Sequence, residues 1–161
     1  METKMTKKNI LYFACSWFST QEKEFMEKGQ QALKQNPTVD WENTFCPLEH
    51  QYHNIDVSQH PEALADPAWQ MGTFRNDLFG IDRADFVCGL FLPQKPDSGM
   101  AFEYGYAYAT HTPIVSVIPD DDQSEINLML LPSVTRYLHL SELATFDFNQ
   151  IEFDLFSATA F

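Results

Sequence analysis

The segment Asp97-Ser98-Gly99-Met100-Ala101-Phe102-Glu103-Tyr104-Gly105-Tyr106-Ala107 holds the residues best suited to chemistry. A helix beginning near Met100 puts Glu103 in about its first turn, with Tyr106 and Ala107 beside it at i+3 and i+4. Everything around it is apolar, aromatic or small, so its carboxylate must reach solvent or face a pocket. The positive end of the helix dipole favours the ionised form there by about 0.3–1 kcal/mol. An ionised, partly desolvated carboxylate can attack a sugar C1, as in retaining glycosidases. Asp97, on the preceding loop, can face the same pocket. Two carboxylates in different settings can divide the roles of nucleophile and proton donor. Spacing alone equally allows a glutamate that only satisfies the helix dipole.

Asp77, in Arg75-Asn76-Asp77-Leu78, reads as a solvated helix face or a partner of Arg75. The histidines show neither HxH nor HExxH spacing, and Asp120-Asp121-Asp122 lacks the glycine and closing glutamate of a calcium loop. Neither GxGxxG nor a Walker A sequence occurs, so no cofactor and no metal is expected.

These residues need elements to position them. Apolar runs predict strands at Ile10–Cys15, Thr44–Leu48, Asp85–Leu92, Pro113–Ile118 and Tyr137–Leu140. Ser19 with Glu22 fits a capping box opening a helix that Asn36-Pro37 ends. Further helical patterns run from Pro61 to about Ile81, with interruptions at Pro67 and Gly72, from Met100 to Thr110, and briefly over Ile126–Leu131. Buried strands alternating with helices imply a parallel sheet covered on both faces. The expected fold class is α/β, a flavodoxin- or Rossmann-like three-layer sandwich with a central, mostly parallel five-stranded sheet. In such sheets ligands bind beyond the carboxyl ends of the strands, which directs attention to residues after Cys15, Leu48, Leu92 and Ile118.

A chain of 161 residues has room for one domain, taken as 1–161. Its net charge of −13 repels phosphate backbones and anionic membrane surfaces, so neither nucleic acid nor a membrane is an expected partner. Cys15, Cys46 and Cys88 are odd in number and lie in apolar stretches without CxxC spacing. That reads as buried thiols in a reducing, cytoplasmic setting. The apolar run Ile10–Phe18 is too short and polar for a membrane span or a signal peptide.

The chain resembles the nucleoside 2-deoxyribosyltransferases from Leu11 to about Phe153. The resemblance is carried by Tyr12 to Phe18, Leu33 to Asp40, Pro47 to Tyr52, His60-Pro61-Glu62, Asn76 to Ile81, Asp97 to Ala107, Val117 to Asp120 and Ile126 to Met129. It implies transfer of a 2-deoxyribosyl group between nucleobases with retention at C1, through a covalent ester on Glu103. It further implies that Asp97 and Asp77 bind the base and handle its proton, and that Tyr12 orients the nucleophile. Phe18, Gln51 and Gly99 match substrate-binding positions. Asn127 matches a residue that reaches a neighbouring subunit's sugar hydroxyl, and Met129 one that lines that sugar. The implied partners are deoxyribonucleosides, free nucleobases and further copies of the chain in a homohexamer with shared sites, serving nucleoside salvage. Asn36-Pro37-Thr38-Val39-Asp40 is similar to the type II enzymes, which take purines and pyrimidines, whereas Ala101-Phe102-Glu103 is similar to the purine-preferring type I. Family chains often end in Tyr, and this one ends in Phe161. Two other readings predict different products. A hydrolase of deoxynucleoside 5′-monophosphates needs a phosphate cradle, for which only Ser98 and Lys95 stand near the nucleophile. A non-catalytic nucleoside-binding module needs neither Glu103 nor Asp97.

Overall fold

The computed structural model describes residues 7–161. Four strands form one parallel sheet: β1 (Leu11–Ala14), β2 (Phe86–Leu90), β3 (Ile114–Ile118) and β4 (Arg136–His139), ordered β1-β2-β3-β4. Three α-helices cover it: α1 (Thr20–Gln35), α2 (Pro67–Arg83) and α3 (Ser98–Ala109). Alternate strand residues face opposite layers. Leu11, Phe13, Cys88, Leu90, Val115 and Val117 pack with Phe25 and Leu33 of α1 and with Leu143 and Phe148 near the end of the chain. Tyr12, Ala14, Val87, Ile114 and Ile118 pack with Ile81 of α2 and with Met100, Tyr104 and Ala107 of α3. The sandwich is therefore three-layered, with α2 and α3 together on the Tyr12 face.

The expected fifth strand, Thr44–Leu48, does not form. Phe45 alone pairs with β1: its N–H donates to the Leu11 carbonyl at 2.9 Å and its carbonyl accepts from Phe13 N–H at 2.8 Å. Beyond it the Cys46 N–H turns to His50 Nδ1, and Pro47 has no N–H to offer. The N–H groups of Glu49 and His50 then fold back onto the Cys46 carbonyl. A second isolated bridge, Asn9 with Val39, lies on the same outer edge of β1.

Local chemistry explains the helix boundaries. The Ser19–Glu22 capping box is complete, with Glu22 N–H on Ser19 Oγ at 3.3 Å and Ser19 N–H on Glu22 Oε2 at 2.6 Å. The long helical pattern from Pro61 splits at Asp66 into a 3-10 turn, Pro61–Ala65, and α2. Asp66 caps α2 by accepting from Ala68 N–H at 2.9 Å, and Pro67 takes the first helical position, where its missing N–H costs nothing. Over Ile126–Leu131 no helix forms. Ile126 makes a parallel bridge to Ala160, and Asn127 Oδ1 accepts from Met129 N–H at 2.9 Å, closing a side-chain turn.

One glycine decides how close α3 comes to the sheet. A Cβ on Gly89 of β2 would collide with the Tyr104 hydroxyl and ring. Its absence lets Tyr104 sink fully and donate to Ser116 Oγ of β3 at 2.9 Å. Tyr104 is the neighbour of Glu103, so this contact fixes the height of the candidate nucleophile over the sheet.

Candidate active site

The Tyr12 hydroxyl of β1 donates to Glu103 Oε1 of α3 at 2.6 Å. Tyr12 is fully buried, and its ring stacks on Phe45 at 5.5 Å, with His50 stacked behind Phe45 at 4.8 Å. The phenol thus has one orientation, set by packing rather than by solvent. Burial, then the Glu103 and Asp77 charges, push its pKa well above the usual tyrosine range, so it stays a donor.

Helix α3 begins at Ser98, with Asp97 as its cap, so Glu103 lies in the second turn and not the first. The dipole effect fades within the first turn. Burial dominates instead and raises the Glu103 carboxyl to about 7, against the lowering effect of the Tyr12 bond and with the help of the Asp77 and Asp97 charges. The expectation that the helix start favours ionisation is therefore corrected: desolvation outweighs it.

Asp77 projects from α2 and is neither a solvated carboxylate nor a partner of Arg75. Its Oδ1 is buried without a hydrogen-bond partner, and burial raises its pKa to about 7. The Asp77 charge also helps to raise the Glu103 carboxyl, so both groups titrate near neutrality. With both carboxyls raised to about 7, one can be ionised while the other keeps its proton. That is the combination needed to attack a carbon and protonate its leaving group.

Asp97 is held differently. Its Oδ1 accepts from Met100 N–H at 3.0 Å, capping α3, and its Oδ2 accepts from the Ser16 hydroxyl at 2.9 Å. Gly99 adjoins it; a Cβ there would lie 2.9 Å from Asp97 Oδ1. Lys95, on the same loop, forms a 3.0 Å ion pair with Glu22, whose side chain is only 4% exposed.

The remaining predicted positions divide. Phe18 is 72% exposed beyond β1, its ring 5.3 Å from Trp17. Gln51 spends both ends of its amide on backbone, Nε2 on the Leu48 carbonyl at 3.1 Å and Oε1 on Val57 N–H at 3.0 Å. It shapes the loop and offers less to a ligand than expected. Asn127 and Met129 do not join Glu103. They line a separate cleft of about 780 Å³ with Asp97, Ser98, Ala101, Gly105 and Phe161, on another face of α3. Sequence reading missed three supports: the capping role of Asp97, the Ser16 bond to it, and Phe45 behind Tyr12. An aspartate three residues before Met100 is a cap signal readable in the sequence; the other two are long-range contacts. Among the described residues no cluster of three or more His, Cys, Asp or Glu could hold a metal, and no helix is long and apolar enough to cross a membrane.

The sequence profile described as nucleoside 2-deoxyribosyltransferase matches residues 11–150. A nucleoside deoxyribosyltransferase of Lactobacillus leichmannii is 38% identical over 158 residues, covering 98% of this chain and 100% of that enzyme. Another, from Limosilactobacillus fermentum, is 31% identical over 147 residues, 86% of each chain. A solved 2-deoxyribosyltransferase from Bacillus psychrosaccharolyticus superposes with a TM-score of 0.74, covering 91% of this chain and 98% of that one at 24% identity, which speaks to the fold.

Proposed function

The chain belongs to the nucleoside 2-deoxyribosyltransferase family, and from that premise we propose that Glu103 carries the 2-deoxyribosyl group between bases as a covalent ester. The observation that carries this reading is the pairing of a Tyr12-held Glu103 with Asp77, whose buried Oδ1 has no partner.

Tyr12 holds Oε1, which leaves Oε2 for C1′. As the C1′–N bond breaks, its electron pair goes to the base, and the Asp77 carboxylic acid delivers a proton to that nitrogen. The oxocarbenium-like charge at C1′ is stabilised by the Glu103 anion, which closes the C1′–O bond. An acceptor base then attacks C1′ from the opposite side, surrenders its proton to Asp77 and releases Glu103. Two inversions give net retention. Asp97 accepts hydrogen bonds from the base, and the exposed Phe18 ring stacks on it. The scheme applies to purine and to pyrimidine bases alike, and comparing cytosine with hypoxanthine as acceptors tells a type II from a type I preference.

The separate placement of Asn127 and Met129 supports sites shared between copies in a homohexamer. Met129 is 79% exposed, so it is available to a neighbour. A cytoplasmic role in nucleoside salvage fits substrates of this kind. Lys95 weighs against the nucleotide hydrolase, because its charge is already committed to Glu22. A mere binding module has no use for a buried carboxyl pair that costs stability.

Incubating the protein with deoxyinosine or thymidine plus free adenine tests the proposal. Deoxyadenosine is the expected product. Free deoxyribose alone would point to hydrolysis, and no turnover to a binding module. Mass spectrometry of enzyme denatured during turnover should find the sugar on Glu103, and a Glu103→Ala variant retaining full exchange would refute the nucleophile assignment.

A further inference from the structure

Asp97 is gripped from two directions. The Met100 N–H at 3.0 Å belongs to its own helix, but the Ser16 hydroxyl at 2.9 Å comes from the loop after β1, 81 positions away. That loop also carries Phe18, the expected stacking partner of the base. We infer that Ser16 is a positioning residue for the transfer: its hydroxyl locks the Asp97 carboxylate against the Phe18 loop, so that the acceptor for the base and the ring stacked on it move as one unit. The inference rests on the transferase reading and assigns a role to a residue outside the catalytic set.

The surroundings show why the hydroxyl matters. Ser16, Asp97, Met100, Phe25, Leu90, Leu92, Glu22 and Lys95 enclose a cavity of about 10 Å³. That is about the smallest space that admits one water, and its wall is about half polar and half apolar. With the hydroxyl gone, a water in its place would not be bonded covalently to the Phe18 loop, and the link between that loop and Asp97 would be lost. The charged groups facing Asp97 are Glu103 on α3 and the Glu22–Lys95 pair across the cavity. The pair is closed on itself, and Glu103 repels, so neither orients Asp97 Oδ2. Met100 N–H holds only Oδ1 and leaves the carboxylate free to pivot. A single hydroxyl therefore fixes the second oxygen.

The inference predicts that Ser16→Ala lowers kcat for base exchange about ten- to a hundred-fold, the worth of a bond to a charged group, with the nucleoside KM changed far less. Ser16→Thr, which keeps the hydroxyl, should restore most of the rate. In an Asp97→Asn background Ser16→Ala should add little, because the residue acts through Asp97. Thermal unfolding of each variant shows that the fold is retained. A Ser16→Ala enzyme with wild-type kcat would overturn the inference. So would a loss that Thr fails to rescue, or one that is fully additive with Asp97→Asn. Failure of the unmodified enzyme to exchange bases would instead sink the transferase reading; in that case the inference is read from carbon-13 chemical shifts of Asp97, which Ser16→Ala must move and Ser16→Thr must not.

Discussion

Replacing Glu103 by Gln should stabilise the protein at pH 8 while abolishing exchange. Burial raises the Glu103 carboxyl from 4.5 to about 7. The folded state therefore holds this proton more tightly than the unfolded chain does. Stability falls as pH rises through the window between those two values, because only the unfolded chain ionises freely there, and it levels off above about pH 7. At about 1.4 kcal/mol per tenfold change in proton affinity, the loss approaches roughly 3 kcal/mol. Gln keeps an oxygen for the Tyr12 hydroxyl and never ionises. At pH 8 the variant should then melt roughly 6–12 °C higher, at the usual 2–4 °C per kcal/mol for a domain of this size. Near pH 4.5 most of that gain should vanish. Part of the cost comes from Asp77, so the gain should shrink in an Asp77→Asn background. Calorimetry at the two pH values and one protein concentration measures all of this. A melting difference that is equal at both pH values, or reversed, would refute the claim that desolvation governs this carboxyl.

Tyr12→Phe removes the 2.6 Å bond to Glu103 and should cut kcat about ten- to a hundred-fold with little change in KM, as steady-state exchange kinetics would show. Lys95→Met leaves the buried Glu22 carboxylate without its cation. Burial alone would raise the Glu22 pKa, but hydrogen bonds from Lys95 and Ser19 outweigh it and hold the carboxyl below its usual value. This contribution is present above the ordinary glutamate pKa and lost as pH falls through the lowered one. The variant should therefore unfold about 1–2 kcal/mol more easily at pH 7, a modest figure because Lys95 is half exposed, and the gap to wild type should close in acid melts. Gly89→Ala drives a methyl into Tyr104 and should cost about 1–3 kcal/mol in a denaturant titration. Exchange should fall further than that loss of stability alone explains, because α3 carries Glu103.

Much of this arrangement is legible in the residues. The Ser19–Glu22 pair marks the start of α1, and the unbroken apolar runs of β2 and β3 mark the middle of a parallel sheet. Asp97 and Glu103 stand out because charge is rare in their segment. What local patterns hide is set by distance along the chain. Tyr12 and Glu103 meet across 91 positions, and nothing in either neighbourhood announces it. The protonation of Glu103 reverses for the same reason: the dipole is a local property of the helix, while burial depends on the whole fold around it. Thr44–Leu48 has the composition of a strand, but Pro47 and the His50 ring withdraw its hydrogen bonds after one residue. Asn127 reads as part of a helix until its side chain is seen to cap a turn.

The two bridges beside β1, at Val39 and Phe45, have a consequence for how copies of this chain can meet. An open edge strand is a template on which another chain can add its own backbone. Here the outer rim of β1 is already occupied, so growth of the sheet from one molecule into the next is blocked on that side. Any union there must be made by side chains. Phe74, Phe79 and Phe102 on α2 and α3 are among the exposed large apolar groups that can make side-chain contacts. Contacts of that kind close into a finite assembly only where the symmetry relating the two surfaces closes.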